Sequence, residues 1–310
     1  YKEELIRAFD DGVTVHLLHR KNRSKGIGFI FRLNRLLMNI KPDAIHLHGS
    51  RIYTFLWRKR LSRVASATLH ALPTGSVRRG GLAGRVFPFL FSSGNVYYID
   101  KVKQVFAISE AVKDELWKNY GVTSTVVYNG ILTGIFRVRE DRSPTDALRI
   151  VMVSRLEHDK KGQDLLIEAA KKLNGSVHVD FIGDGSSREF LENMVKELQV
   201  ATTVSLLGSK TQKYIADHLA DYDLFVQPSR WEGFGLTVAE AMAARVPVLV
   251  SSGQGPAEVT CGDKYGWVFE NGNVDDLTNK IKYIYNHYDE VMEKANKALN
   301  YVRDIYDVSV

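Results

Sequence analysis

From Leu148 onward, short runs of consecutive apolar residues alternate with segments in which apolar positions recur every three to four residues. LRIVMVS is followed by KGQDLLIEAAKKL, VHVDFIG by SREFLENMVKEL, and TVSLLG by QKYIADHLAD. DLFVQPS, GLTVAEAMAA, PVLVSS, a short GWVFE and a long helical segment from about Val274 close the series. An unbroken apolar run predicts a strand covered on both faces, and the 3.6-residue period predicts an amphipathic helix between such strands. Their regular alternation predicts a doubly wound α/β domain with a parallel sheet.

The first half repeats the theme less regularly. VTVHLL, DAIHLHG, SATLHAL, QVFAIS and STVVYNG read as strands, with FRLNRLLMNI, YTFLWRKRLS and AVKDELWKNYG as helices between them. The opening YKEELIRAFDDG reads as a helix with no strand before it, and the chain stops just after its last long helix, so both ends are expected to be incomplete. A segment of mixed charge with one proline, Gly134 to Ala147, reads as a linker. The expected organisation is residues 1–140 as one doubly wound domain and residues 141–310 as another. Ligands of such sheets bind at the carboxyl ends of the strands, which places the expected site in a cleft between the two. There is no internal repeat and no low-complexity segment.

Composition narrows the class. The chain has 310 residues, 45% of them apolar and 25% charged, an ordinary balance for a two-domain globular protein. A single cysteine, Cys261, rules out an intrachain disulfide and fits a reducing compartment. No Cys/His cluster suggests zinc. The longest apolar runs fall far short of the roughly 20 residues that cross a bilayer, and no leader-like segment opens the chain, so an integral membrane protein is not expected. The formal charge of +6 hides an asymmetry: residues 1–140 carry 23 Lys and Arg against 10 Asp and Glu, and residues 141–310 carry 19 against 26. The basic excess gathers in RIYTFLWRKRLSR (Arg51 to Arg63) and SVRRGGLAGR (Ser76 to Arg85), interleaved with apolar residues. A solvated helix face, an anionic lipid surface and nucleic acid all remain open partners, the last without any accompanying binding signature.

Candidate chemistry sits at predicted strand ends. Arg155 and Lys161 follow LRIVMVS and precede a helix beginning near Gln163. Two cations before a helix N-terminus suit phosphate, because exposed N–H groups and the helix dipole add to their charge. No Walker sequence is present. Gly183 and Gly185 follow VHVDFI, but the third glycine position of a dinucleotide fingerprint is Arg188, which disfavours a nicotinamide enzyme. After DLFVQPS come Glu232, Gly233, Phe234 and Gly235, then a helix from about Thr237. Thr237-x-x-Glu240 fits a capping box, so Glu240 is either a cap or a ligand for hydroxyls. Glu232 lies outside that box, and the flanking glycines let backbone N–H groups approach a ligand closely. A carboxylate beside a phosphate site favours neutral hydroxyls, such as those of a sugar. His46 and His48 share one strand face by the period of two.

These residues carry a resemblance. Arg155, Lys161-Gly162, Gly183-Asp-Gly185, Glu232-Gly-Phe-Gly-Leu with Glu240-Ala-Met-Ala, Pro247-Val248 and Glu258 resemble the donor domain of retaining GT-B glycosyltransferases of family 4. DAIHLHGS, TLHALP, AISEAVKDELWKNYG and VVYNGI extend the likeness through the first domain, so it covers nearly the whole chain.

The resemblance implies an α/β GT-B fold, two Rossmann-like domains facing across a cleft, and transfer of a sugar from a UDP- or GDP-linked donor to a glycan or lipid-linked acceptor. It implies Arg155 and Lys161 on the donor diphosphate, Glu240 on the ribose, and Glu232 with Gly233, Phe234, Gly235, Leu236 and Thr237 around the donor. Gly183 and Gly185 would lie near the base and His70 near the transferred sugar, with His46 and His48 on the acceptor side. No metal and no cofactor beyond the nucleotide-sugar co-substrate is expected. Two departures stand out: no glycine-rich loop opens the first domain, and Arg245 stands where the family usually has glycine. The expected setting is cytoplasmic, peripheral on the inner face of the plasma membrane, in surface polysaccharide synthesis. A non-catalytic nucleotide-sugar binding module is the alternative.

Overall fold

The computed structural model describes residues 6–8, 14–16, 28–48, 56, 59–70 and 102–309. The chain separates into two compact units, Tyr1–Phe106 with Leu116–Thr125, and Ala107–Glu115 with Val126–Val310. In the first unit β1 (Ile6–Ala8) pairs antiparallel with β2 (Thr14–His16). A helix was expected at Ile6–Ala8; the strand is the finding. The Asp10-Asp11-Gly12 triplet between the paired segments is turn-forming in composition, and cross-strand pairing overrides a short helical period.

Helix α1 (Gly28–Ile40) and strand β3 (Ile45–His48) follow. Helix α2 (Lys59–Arg63) buries Leu61 and exposes Arg60 and Arg63. Strand β4 (Ala65–Leu69) runs parallel to β3, and with β5 (Gln104–Ala107) and β6 (Thr125–Val126) completes a sheet in the order β3, β4, β5, β6. Helix α3 (Glu110–Tyr120) lies between β5 and β6 in sequence. Most of the basic stretch Arg51 to Arg63 and all of Ser76 to Arg85 lie outside the described residues.

The second unit contains β7 (Leu148–Val153), α4 (His158–Lys161), α5 (Gln163–Leu173), β8 (Val177–Ile182), α6 (Arg188–Glu197), β9 (Val204–Gly208) and α7 (Gln212–His218). Then come β10 (Leu224–Gln227), α8 (Leu236–Ala243), β11 (Val248–Ser251), α9 (Gly255–Val259), β12 (Trp267–Phe269), α10 (Val274–Asn286) and α11 (Tyr288–Tyr306). All six strands are parallel, in the order β12, β11, β10, β7, β8, β9. Every residue of β10 and β11 is buried, so the sheet is covered on both sides, as the unbroken apolar runs require. Helix α5 packs against α6 and α10, and α8 against α11.

Three local features depart from the sequence pattern. The long terminal helix is two helices broken at His287, because Tyr288 turns inward to donate from its hydroxyl to the Asp223 carbonyl at 2.8 Å. The expected linker is anchored: Arg139 is 1% exposed and donates to Asp223 Oδ1 at 2.7 Å and to the Tyr288 hydroxyl at 2.9 Å. Arg245 leaves α8 undistorted. It takes the left-handed conformation (φ 60°) of a Schellman end, with Val246 N–H donating to Ala241 O and Arg245 N–H to Met242 O. Its guanidinium then ties α8 to the former linker through Arg139 O at 2.9 Å and Asp141.

Candidate active site

The strand order reverses direction between β7 and β10, which pair through Leu224↔Ile150 and Phe225↔Val151. A crevice at such a reversal, outside the carboxyl ends of the strands, is where doubly wound sheets bind ligands. The loops leaving these two strands hold the candidate residues and are fastened together. Arg230 grips Asp164 with both terminal nitrogens (2.8 and 2.6 Å) and donates to His158 O at 2.9 Å. Trp231 N–H donates to Lys160 O at 3.1 Å. Held in this way, Lys161 Nζ forms an ion pair with Glu232 Oε2, the two side chains being 15% and 20% exposed.

Gly162 makes this approach feasible. It is left-handed (φ 70°), ending α4 and opening α5, and a Cβ there would stand 2.0 Å from Pro228 O. A second close approach holds the other strand end. Gly183 has φ 146°, and a Cβ on it would meet Ser154 O at 1.8 Å, while one on Gly185 would meet Leu156 O at 2.4 Å. The two glycines therefore bring the β8 loop onto the segment leading to Lys161. Arg155 points outward, with its side chain 73% exposed and 3.1 Å from Glu157 Oε1.

The loop at Glu232 is clamped by residues to which the sequence motifs assigned no role. Glu232 N–H donates to Gln254 Oε1 and Gly255 N–H donates to Glu232 O, both at 3.0 Å. The buried Ser109 hydroxyl donates to Gly233 O at 2.6 Å while accepting from Val112 N–H at 3.1 Å. Glu258 is likewise a capping group, its two carboxylate oxygens accepting the N–H groups of Glu110 and Ala111 at 2.8 and 3.2 Å. Among the described residues, no acceptor takes the backbone N–H of Gly233, Phe234 or Gly235. Phe234 is buried and packs edge-on against Tyr306 at 5.5 Å, fixing the turn that carries those N–H groups.

The expected capping box does not form. Gly235 is the N-cap of α8, Leu236 its exposed first residue, and the Thr237 hydroxyl lies 3.4 Å from Gln227 Oε1. The N-cap falls two residues before Thr237, which places Thr237 inside the helix, so Glu240 has no capping role. Its Oε1 instead accepts from Gln212 Nε2 at 3.1 Å. Burial raises the Glu240 carboxyl above the usual range, and the Gln212 hydrogen bond only partly offsets this.

In the first unit, three histidines gather at the ends of β3 and β4. His46 is committed to the sheet surface, with Nδ1 2.7 Å from Ser66 Oγ and Nε2 2.9 Å from Thr68 Oγ1. His48 Nδ1 lies 2.9 Å from His70 Nε2. Partial burial, then His48 and His46, lower the pKa of His70, so its neutral imidazole persists to lower pH than an isolated one. No group of three His, Cys, Asp or Glu among the described residues could hold a metal ion.

Comparison with known proteins decides the family. Residues 137–303 match Glycosyl transferases group 1, and residues 2–134 match Glycosyltransferase Family 4. The chain belongs to the glycosyl transferases of group 1. It is 27% identical to the uncharacterized glycosyltransferase MJ1178 of Methanocaldococcus jannaschii over 89% of this chain and 76% of that one. It is 26% identical to the poly(ribitol-phosphate) alpha-N-acetylglucosaminyltransferase of Staphylococcus aureus over 70% of this chain, spanning 44% of that protein's length. Sucrose-phosphate synthase from Thermosynechococcus elongatus shares the fold, with TM-score 0.75 and 18% identity over 91% of this chain and 74% of that one. The GT-B architecture expected from the motifs is thus the architecture of this glycosyltransferase.

Proposed function

We propose that this glycosyltransferase moves a hexose from a UDP- or GDP-linked donor to a glycan or lipid-linked saccharide, with retention at the anomeric carbon and without a metal. One observation carries this reading. At the reversal point of the sheet, a partly buried Lys161 and Glu232 sit beside N–H groups before α8 that have no acceptor among the described residues. Lysine and a helix start suit a diphosphate, and the carboxylate suits hydroxyls.

Residues take these roles. Lys161 and Arg155 stabilise the departing diphosphate; Glu232 and the N–H groups of Gly233, Phe234 and Gly235 hold the sugar. Glu240 takes the ribose, Leu236 and Thr237 line the start of α8, and Gly183 and Gly185 border the base. His70 attends the transferred sugar, and His46 and His48 the acceptor. The acceptor hydroxyl attacks the anomeric carbon on the face from which the diphosphate leaves. The new C–O bond forms as the old one breaks, and a diphosphate oxygen takes the hydroxyl proton. The Staphylococcus aureus relative is a poly(ribitol-phosphate) alpha-N-acetylglucosaminyltransferase by name, which supports a polymeric acceptor and a role in surface polysaccharide synthesis. No described helix is long and apolar enough to cross a membrane, and we place the enzyme peripherally on a cytoplasmic membrane face, with no nucleic acid partner.

Product formation from UDP- and GDP-sugars, followed by mass spectrometry, tests the activity and separates it from mere binding. Lys161→Ala should lower kcat by about 10²–10³, by analogy with removal of an oxyanion donor. A variant with unchanged kcat refutes the role given to Lys161.

A further inference from the structure

Both cations assigned to the diphosphate already have carboxylate partners, and the two pairs differ in what an incoming anion must overcome. Arg155 is 73% exposed beside Glu157, a pair screened by water and easily exchanged. Lys161 and Glu232 are 15% and 20% exposed. The main chain at Glu232 is held beside Lys161, its N–H donating to Gln254 Oε1 and its carbonyl accepting from Gly255. An anion that takes Lys161 leaves a poorly hydrated carboxylate without its partner close by, an arrangement penalised by both repulsion and lost pairing.

We infer that Glu232 is a specificity element that favours the sugar-bearing donor over the bare nucleoside diphosphate released by the reaction. This rests on the donor reading above. A free nucleoside diphosphate brings more negative charge than its sugar ester and lacks the hydroxyls of the transferred sugar, its ribose hydroxyls being taken by Glu240. The ester brings sugar hydroxyls that donate to Glu232 as Lys161 turns to the phosphates, so the carboxylate exchanges one partner for another. The same residue that holds the sugar thus weakens retention of the leaving group and limits inhibition by it.

Titration calorimetry with UDP and GDP, and with UDP-glucose and GDP-mannose, tests this on the whole chain. In Glu232→Gln the side chain keeps its shape and loses its charge. Affinity for whichever bare diphosphate binds the wild type should rise about tenfold, the scale of one relieved like-charge contact. Glu232→Asp keeps the charge and should retain weak diphosphate binding, which a merely structural loss at this position would not reproduce. Circular dichroism of each variant establishes folding. Unchanged or weakened diphosphate binding in Glu232→Gln overturns the inference while leaving the donor reading standing. A wild type that binds none of the four probes overturns both.

Discussion

Glu240, which we propose holds the donor ribose, sits where burial opposes its charge. Its carboxyl is raised by burial, so between the unfolded and folded pKa values the native state holds more protons than the unfolded state. Stability contributed by the protonated carboxyl is present at low pH and is lost as pH rises through the folded pKa; above it, the buried charge is a net cost. Glu240→Gln removes that charge and preserves a partner for Gln212. The variant should melt about 2–4 °C higher near pH 7, corresponding to about 1 kcal/mol. The gain should shrink as pH is lowered toward 4, and nucleotide stabilisation should be lost. A melting temperature that is lower than wild type at pH 7 would remove the argument from burial.

At the scale of elements, the geometry depends on where two loops approach one another. Gly162 and Gly175 share a left-handed conformation, with φ 70° and 86°, yet a Cβ meets Pro228 O at 2.0 Å at the first and nothing within 4 Å at the second. Gly175→Ala should therefore cost about 1–2 kcal/mol from backbone conformation alone. Gly162→Ala should cost at least about 1 kcal/mol more, since a backbone carbonyl must shift. Urea unfolding of both variants measures the difference, and equal costs would show that the Pro228 approach is unimportant. The sheet, its helices and the positions of Lys161 and Glu232 were legible because burial on both faces writes continuous apolar runs, and both residues follow the ends of such runs. Gln254, Ser109 and Arg230 were not, because each acts through a contact with a distant backbone atom or loop side chain that no local period records. The capping box at Thr237 failed for a related reason: the spacing was right, but a left-handed Gly235 with φ 105° started the helix earlier. Arg245 gave the opposite lesson. It takes the left-handed conformation that glycine commonly supplies at a helix end, and its side chain is held by Arg139, Asp141 and Asn296.

At the scale of the whole molecule, charge is the property that packing does not explain. Residues 1–140 hold 23 cations against 10 anions. Helix α2 shows how part of it is displayed: Leu61 is 3% exposed, and Arg60 and Arg63 face solvent. Each Lys or Arg near an anionic bilayer contributes about 1 kcal/mol, falling off within a Debye length of about 10 Å at 0.1 M salt. Replacing Arg58, Lys59 and Arg60 by Gln should therefore lower partition onto phosphatidylglycerol vesicles by roughly 100-fold, three such contributions at about 1.4 kcal/mol per decade. Raising salt toward 1 M should release the wild type in the same way, because screening then acts within about 3 Å. Transfer to a soluble saccharide acceptor should be unaffected in the triple variant, which separates the surface from the donor chemistry. Co-sedimentation that is insensitive to both the substitutions and salt would assign the basic excess to some role other than lipid contact.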